Sequence, residues 1–235
     1  MSAYWLAIDT ATDIASVAIS TGDRTVARSI RGARQLAAQI LPLVQEVLEL
    51  ARLSLQDIKG IIVGDGPGSF TGLRIGWAAA KGLAHEHQLP LVAIPSLLGA
   101  AHAAGVNVVA ACYDALRGQV FGAVYAFEGD AVRILVAPDV FTIPTLAARA
   151  RRSPDLVVGD GAERYRETVV AWSGAAPVGL ETLPPIAGSL LALFAYDGAR
   201  SAIDRSIAEP VYGRPAEAQV KWESRHGRPL PHSSR

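Results

Sequence analysis

The chain has 235 residues, half of them apolar, and 22 basic side chains balance 22 acidic ones. That length allows one large domain or two small lobes with a sizeable core. Zero net charge argues against a stand-alone nucleic-acid binder, which needs a basic surface. The single cysteine, Cys112, excludes an intrachain disulfide.

In chain order, residues 3–8 are predicted to form a buried strand. Strands over 14–20 and 25–30 follow, joined at Gly22-Asp23. Residues 35–52 carry a helical pattern, 58–63 a strand, 71–88 a helix and 91–94 a short strand. Pro95 opens another helix. The order then restarts. A strand over 107–112 leads to Asp114, as 3–8 leads to Asp9. Strands over 120–127 and 132–136 meet at Gly129-Asp130, and a helix spans 144–151. Leu156-Val157-Val158-Gly159-Asp160-Gly161 echoes Ile61-Ile62-Val63-Gly64-Asp65-Gly66. Helical patterns cover 163–172 and 186–196. The expected organisation is a lobe over 1–104, a second over 105–213 and a flexible basic tail over 214–235. The chain opens on an apolar strand without a basic prelude, and no run of about 18 apolar residues occurs. A cytoplasmic protein without a membrane segment is the expectation.

Gly64-Asp65-Gly66-Pro67-Gly68-Ser69-Phe70-Thr71-Gly72-Leu73-Arg74-Ile75-Gly76 is a strand-to-helix turn rich in residues that permit unusual backbone angles. Such a turn can present amides and a helix N-terminus to an anion. Gly66, Gly68 and Ser69, with Asp9 at the end of the first strand, are the candidates for contact with a nucleotide phosphate. The Walker and dinucleotide patterns both fail here. No Lys lies between Lys59 and Lys81, and Thr71 stands where a third Gly belongs. The alternative is an architectural turn, with Ser69 capping the next helix and Asp9 and Thr10 capping a tight hairpin. No His-x-x-x-His pair occurs among His85, His87, His102, His226 and His232, so no metal site is expected. No Gly-x-Ser-x-Gly elbow supports a catalytic triad. Cys112 lies in an apolar run and reads as a buried small hydrophobe. No catalytic residue and no cofactor is assigned.

The 35–52 helix has two apolar stripes about 100° apart: Leu36, Ile40, Leu43, Val47, Leu50 and Ala37, Leu41, Val44, Leu48, Ala51. One can cover the sheet while the other meets a partner. In the next helix Gly72, Gly76 and Ala80 recur every four residues, a groove for close helix approach. The alternative for both is burial within the chain itself.

The Asp65–Gly76 motif resembles the signature of the TsaB (YeaZ) family, bacterial subunits of the machinery that makes threonylcarbamoyladenosine in tRNA. Ile8-Asp9-Thr10-Ala11-Thr12, Leu41-Pro42, Asp114-Ala115-Leu116-Arg117 and Pro210-Val211-Tyr212-Gly213-Arg214 match in family order. The resemblance implies a duplicated α/β fold of the two-lobed actin/sugar-kinase/Hsp70 (RNase H-like) kind. It implies a non-catalytic scaffold that binds the catalytic subunit TsaD, works with the ATPase TsaE, meets tRNA only through the complex and forms a homodimer when alone. The implied interface uses both helices: Leu36, Ala37, Ile40, Leu43, Val44, Val47, Gly72, Gly76, Ala80 and Leu83. The family's His-Ser ahead of Leu-Pro is Leu36-Ala37 here, which makes that face greasier. The rival reading is an independent nucleotide-dependent, kinase-like enzyme of the same fold. It would need intact phosphate loops.

Overall fold

A computed structural model describes residues 4–21, 24–32, 35–196, 199, 201–202, 208–214, 222 and 225–227. The Gly22-Asp23 turn and most of the 214–235 tail lie outside the described residues. Two mixed sheets form the framework. The first has the order β10-β5-β4-β1-β2-β3, from β1 (Tyr4–Asp9), β2 (Ile14–Ser20), β3 (Thr25–Arg31), β4 (Ile58–Gly64), β5 (Leu91–Ile94) and β10 (Ser201–Ala202). The second has the order β8-β7-β6-β9, from β6 (Val108–Asp114), β7 (Val120–Glu128), β8 (Ala131–Phe141) and β9 (Leu156–Val158). In both, an antiparallel three-strand meander meets one parallel strand: β4 pairs with β1, and β9 with β6. The restart visible in the sequence is thus a repeat of strand order.

The strands at the centre read as continuous apolar runs because both faces are covered. Among the described residues seven helices supply the cover: α1 (Leu36–Ala51), α2 (Phe70–Glu86), α3 (Ser96–Ala103), α4 (Ile143–Ala150), α5 (Asp160–Arg164), α6 (Arg166–Ser173) and α7 (Ile186–Leu193). Three cores separate the layers. Helices α1 and α2 share one core with Leu6, Ile8, Val17, Ile61 and Val63 of the first sheet. The opposite strand faces, with Ala7, Ala18 and Ile62, share a second core with α3, α7 and residues Val109, Ala111 and Phe121 of the second sheet. The outer face of that sheet packs on α4, α5 and α6. The layers therefore run α1/α2, sheet, α3/α7, sheet, α4–α6. After α6 the chain crosses back. Helix α7 lies on β1, β2 and β4, and β10 pairs with β5, so part of the 105–213 stretch packs on the first sheet. The Ala187 N–H donates to buried Ser16 Oγ at 3.0 Å, pinning the start of α7 to β2.

Helix α1 buries Leu36, Ile40, Leu43, Val44, Val47, Leu48 and Ala51 as one broad stripe and ends at Arg52 in the left-handed region. Pro42 sits on its exposed side, and the helix continues through it. Helix α2 begins where Ser69 Oγ accepts from the Gly72 N–H at 3.2 Å.

The glycine turn fits against the end of β1. A Cβ on Gly68 would stand 2.1 Å from the Ala11 carbonyl oxygen; on Gly72, 2.2 Å from that of Thr10; on Gly76, 2.1 Å from Thr10 Oγ1. Gly82, on the same helix, has no neighbour within 4 Å of such an atom. The difference sets a paired test. Gly68→Ala should lower unfolding free energy by about 2–4 kcal/mol in urea titrations, because backbone must move. Gly82→Ala should leave stability unchanged or raise it by up to about 1 kcal/mol.

Candidate functional site

The four sequence candidates for phosphate contact do converge, through Ser96 and Ala11. Asp9 is 1% exposed. Its Oδ2 accepts from Ser96 Oγ at 2.6 Å, and Oδ1 from the Ala11 N–H at 3.4 Å. The same Ser96 hydroxyl accepts from the Gly66 N–H at 3.2 Å, while the Ser96 N–H donates to Gly66 O at 3.0 Å. The Ser69 N–H donates to Ala11 O at 2.7 Å. The Gly66, Ser69 and Gly72 amides are thus engaged by the chain itself. Gly64 has no room for a side chain, since a Cβ would meet Asp9 Oδ2 at 1.9 Å. This hydrogen-bonding supports the architectural reading of the turn.

The electrostatics point the same way. Burial raises Asp9 to about 6 despite the Ser96 hydrogen bond. Burial, then the charge of Asp9, raises Asp65 to about 7. Two carboxylates at one turn repel a phosphate rather than attract it. Asp65 was not among the sequence candidates; its position in Gly-Asp-Gly, one residue past the end of β4 as Asp9 ends the neighbouring parallel β1, is the signal that marks it. The Tyr113 hydroxyl of β6 donates to Ser96 O at 3.0 Å and ties the second sheet to the start of α3. The 210–214 segment closes over the junction. The Val211 N–H donates to Asp65 O at 2.7 Å, Gly213 lies against Pro67 and Phe121, and Arg214 donates to Ala115 O.

The second half repeats the geometry with different chemistry. Gly159 and Gly161 press on the backbone of Cys112, Tyr113 and Asp114. Asp114 takes a 2.9 Å ion pair from Arg164, and its N–H donates to Asp160 at 3.2 Å. Burial pushes the Cys112 thiol far up, which suits a core residue. Among the described residues, no group of three or more His, Cys, Asp or Glu is placed to share a metal ion. No helix among them is long and apolar enough to cross a membrane.

The candidate partner residues divide by burial. Leu36, Ile40, Leu43, Val44 and Val47 lie under α1 against the chain's own sheet, each at most 4% exposed. Gly72 and Gly76 are pressed on Thr10, and Ala80 is fully buried. The small-residue groove is therefore filled by the end of β1, because α2 must sit close to its own sheet. Leu83 is half-buried and Ala37 exposed. The outward face of α1 is Ala37, Ala38, Leu41 and Pro42, with Leu41 52% exposed. On α2, Arg74 and Ala78 are exposed and Lys81 half-buried. With Trp77 they line a cavity of about 390 Å³ against Ala208, Glu209, Pro210 and Tyr212. The sequence signal for this cavity, a 4–3 spacing of Arg74, Ala78 and Lys81, passed unused.

The carboxylate pair gives a pH signature. Both groups hold their protons more tightly folded than unfolded, where Asp titrates near pH ~4. Between about pH 4 and 7 the folded state binds more protons, so stability falls as pH rises through that window. Asp65→Asn should flatten this slope and raise stability at pH 8 by about 1–3 kcal/mol. Thermal melts from pH 4.5 to 8 read both effects.

Comparison with known proteins adds the family. The family model described as "TsaD: tRNA N6-adenosine threonylcarbamoyltransferase" matches residues 30–155, just over half of the chain. The chain is 30% identical over 226 residues to the Bacillus subtilis (strain 168) protein named tRNA threonylcarbamoyladenosine biosynthesis protein TsaB. That match covers 92% of this chain and 96% of the relative. An Escherichia coli (strain K12) protein of the same name is 37% identical over 145 residues, 57% of this chain and 63% of that protein, so the match spans less than two thirds of its length. The solved structure of YeaZ from Pseudomonas aeruginosa aligns with a TM-score of 0.74 and 28% identity, over 90% of this chain and 100% of that one. Component A of (R)-2-hydroxyglutaryl-CoA dehydratase from Acidaminococcus fermentans aligns at TM-score 0.51 and 14% identity, over 84% and 99% of the two chains, a likeness of fold alone. The fold is the two-lobed α/β architecture of the actin and sugar-kinase group. On the near full-length relative, the family model and the YeaZ fold together, the chain belongs to the TsaB (YeaZ) family.

Proposed function

We propose that this protein is a non-catalytic subunit in the synthesis of tRNA threonylcarbamoyladenosine, docking the catalytic subunit TsaD through its α1/α2 layer. The observation that carries this reading is the exposed ridge of Ala37, Ala38, Leu41 and Pro42 on the outer helix layer, with Leu41 52% exposed. Contiguous exposed apolar surface of this kind marks an interaction site. The buried residues Leu36, Ile40, Leu43, Val44 and Val47 support that ridge from below, and Gly72, Gly76 and Ala80 hold α2 beside it. The self-engaged amides of the glycine turn favour a scaffold over a kinase-like enzyme. In this reading TsaE joins the same assembly, tRNA is met through TsaD, and the ridge pairs with a second copy when TsaD is absent.

The burial pattern selects the variants. Ala37→Glu and Leu41→Glu place charge on the exposed ridge, so the fold should survive by circular dichroism. Their affinity for TsaD should fall by about tenfold or more in calorimetric titration, and self-association should weaken in sedimentation. Leu36→Glu and Ala80→Trp should instead unfold the chain, since both sites are closed. Reconstitution with ATP, threonine, bicarbonate and the enzyme that makes threonylcarbamoyl-AMP should modify tRNA only when TsaD is added. Modification by this chain alone would overturn the scaffold reading.

A further inference from the structure

The cavity between α2 and the 208–212 segment, about 390 Å³, has an unusual set of donors. Arg74, Lys81 and the Trp77 indole N–H can only donate hydrogen bonds. Trp77 is 3% exposed, and its Nε1 is buried with no hydrogen-bond partner among the described residues. That nitrogen is sealed, so the indole is a reporter within the cavity wall rather than a contact. Arg74 lies over the Phe70 ring at 5.5 Å and Lys81 over Trp77 at 5.7 Å. Neither cation forms an ion pair among the described residues. Among the described residues Glu209 is the one carboxylate on the cavity's wall and is exposed, so the described lining is net positive.

The spacing narrows the ligand. Arg74 and Lys81 are seven residues apart, about 10.5 Å along the helix. Both side chains lean toward the helix N-terminus, so the separation persists. One carboxylate or one phosphate cannot meet both. Two acidic side chains two turns apart on a helix can. Arg74 and Ala78 also belong to the exposed crest of α2, beside the α1 ridge.

We propose that this cavity docks an acidic segment of a protein partner, with one carboxylate on Arg74 and a second on Lys81. The inference rests on the α1/α2 docking reading and names the chemistry of the partner's contact.

The test measures TsaD binding to the full chain by calorimetry at about 50 to 300 mM salt. In parallel it follows the Trp77 indole N–H resonance, assigned with Trp77→Phe. Wild type should bind, with the Trp77 resonance shifted in the complex. The double variant Arg74→Glu/Lys81→Glu should bind about tenfold or more weakly, with a flatter salt dependence. Should the reversal unfold the chain, Arg74→Gln/Lys81→Gln gives the same comparison, with a smaller loss. Folded charge variants within about twofold of wild type, beside a defective Ala37→Glu, would overturn the cavity and leave α1 docking intact. Wild-type binding by Ala37→Glu, Leu41→Glu and the charge variants alike would remove both. A Trp77 shift produced by inorganic phosphate or tRNA, and not by TsaD, would overturn the acidic-segment assignment in favour of a phosphate ligand.

Discussion

The contact on which this molecule turns is the bare backbone of the Gly64–Gly76 segment laid on Asp9–Thr10–Ala11. No side chain fits at the glycines, because a Cβ at Gly68 or Gly72 would overlap the Ala11 or Thr10 carbonyl oxygen, and one at Gly64 or Gly76 the Asp9 or Thr10 side chain. The close approach brings the Ser69 N–H to Ala11 O, and Ser69 in turn caps α2. The start and tilt of α2 are thereby fixed relative to β1. The small residues every fourth position are the price of that closeness, and they leave Arg74, Ala78 and Lys81 on other faces of the helix. A turn that looks built for a ligand is thus occupied by its own chain.

The second half shows what the first gave up. Its strands repeat the order, and Gly159 and Gly161 again press on the preceding strand's end. Yet Asp114 is solvent-facing enough to pair with Arg164, whereas Asp9 is sealed beneath Ser96. Sealing has an electrostatic cost that Asp9 and Asp65 share, visible as carboxyls shifted toward neutrality. The pair is held in place by the Tyr113–Ser96 hydrogen bond and by the 210–214 segment across the top, which bind the two sheets at this junction.

Most elements were legible in the sequence, since the buried strands are dense in Val and Ile and the helices carry caps such as Ser69. Strand boundaries matched within a residue or two, except that β8 runs on to Phe141 past the expected end at 136. The direction of each helix face was not legible. Helix α1 presents two apolar stripes, and their sequence alone does not say that Val44, Leu48 and Ala51 join Leu36, Ile40 and Val47 over the sheet while Ala37 and Leu41 turn outward. The spacing of Gly72, Gly76 and Ala80 likewise marks close approach without naming what approaches; Thr10 does, from a segment some 60 residues earlier. Asp65 was hidden by its glycine neighbours, and β10 by its two-residue length.

The same division of surface decides where function can lie. The inner helices α3 and α7 are enclosed between sheets, so they are committed to the core. The cleft that an actin-like fold offers between its lobes is here crossed by hydrogen bonds and covered by 210–214. Of the two outer layers, α4–α6 and α1/α2, the second is where α1 presents Leu41 and Pro42 and α2 presents Arg74 and Lys81. In the proposed docking, this apolar ridge and the two cations beside α2, which lack carboxylate partners among the described residues, would form one surface. The tight turn contributes to that surface indirectly. By holding α2 against β1, it sets the two helices side by side, so that in the proposed docking a partner would meet a preformed face rather than order one on contact.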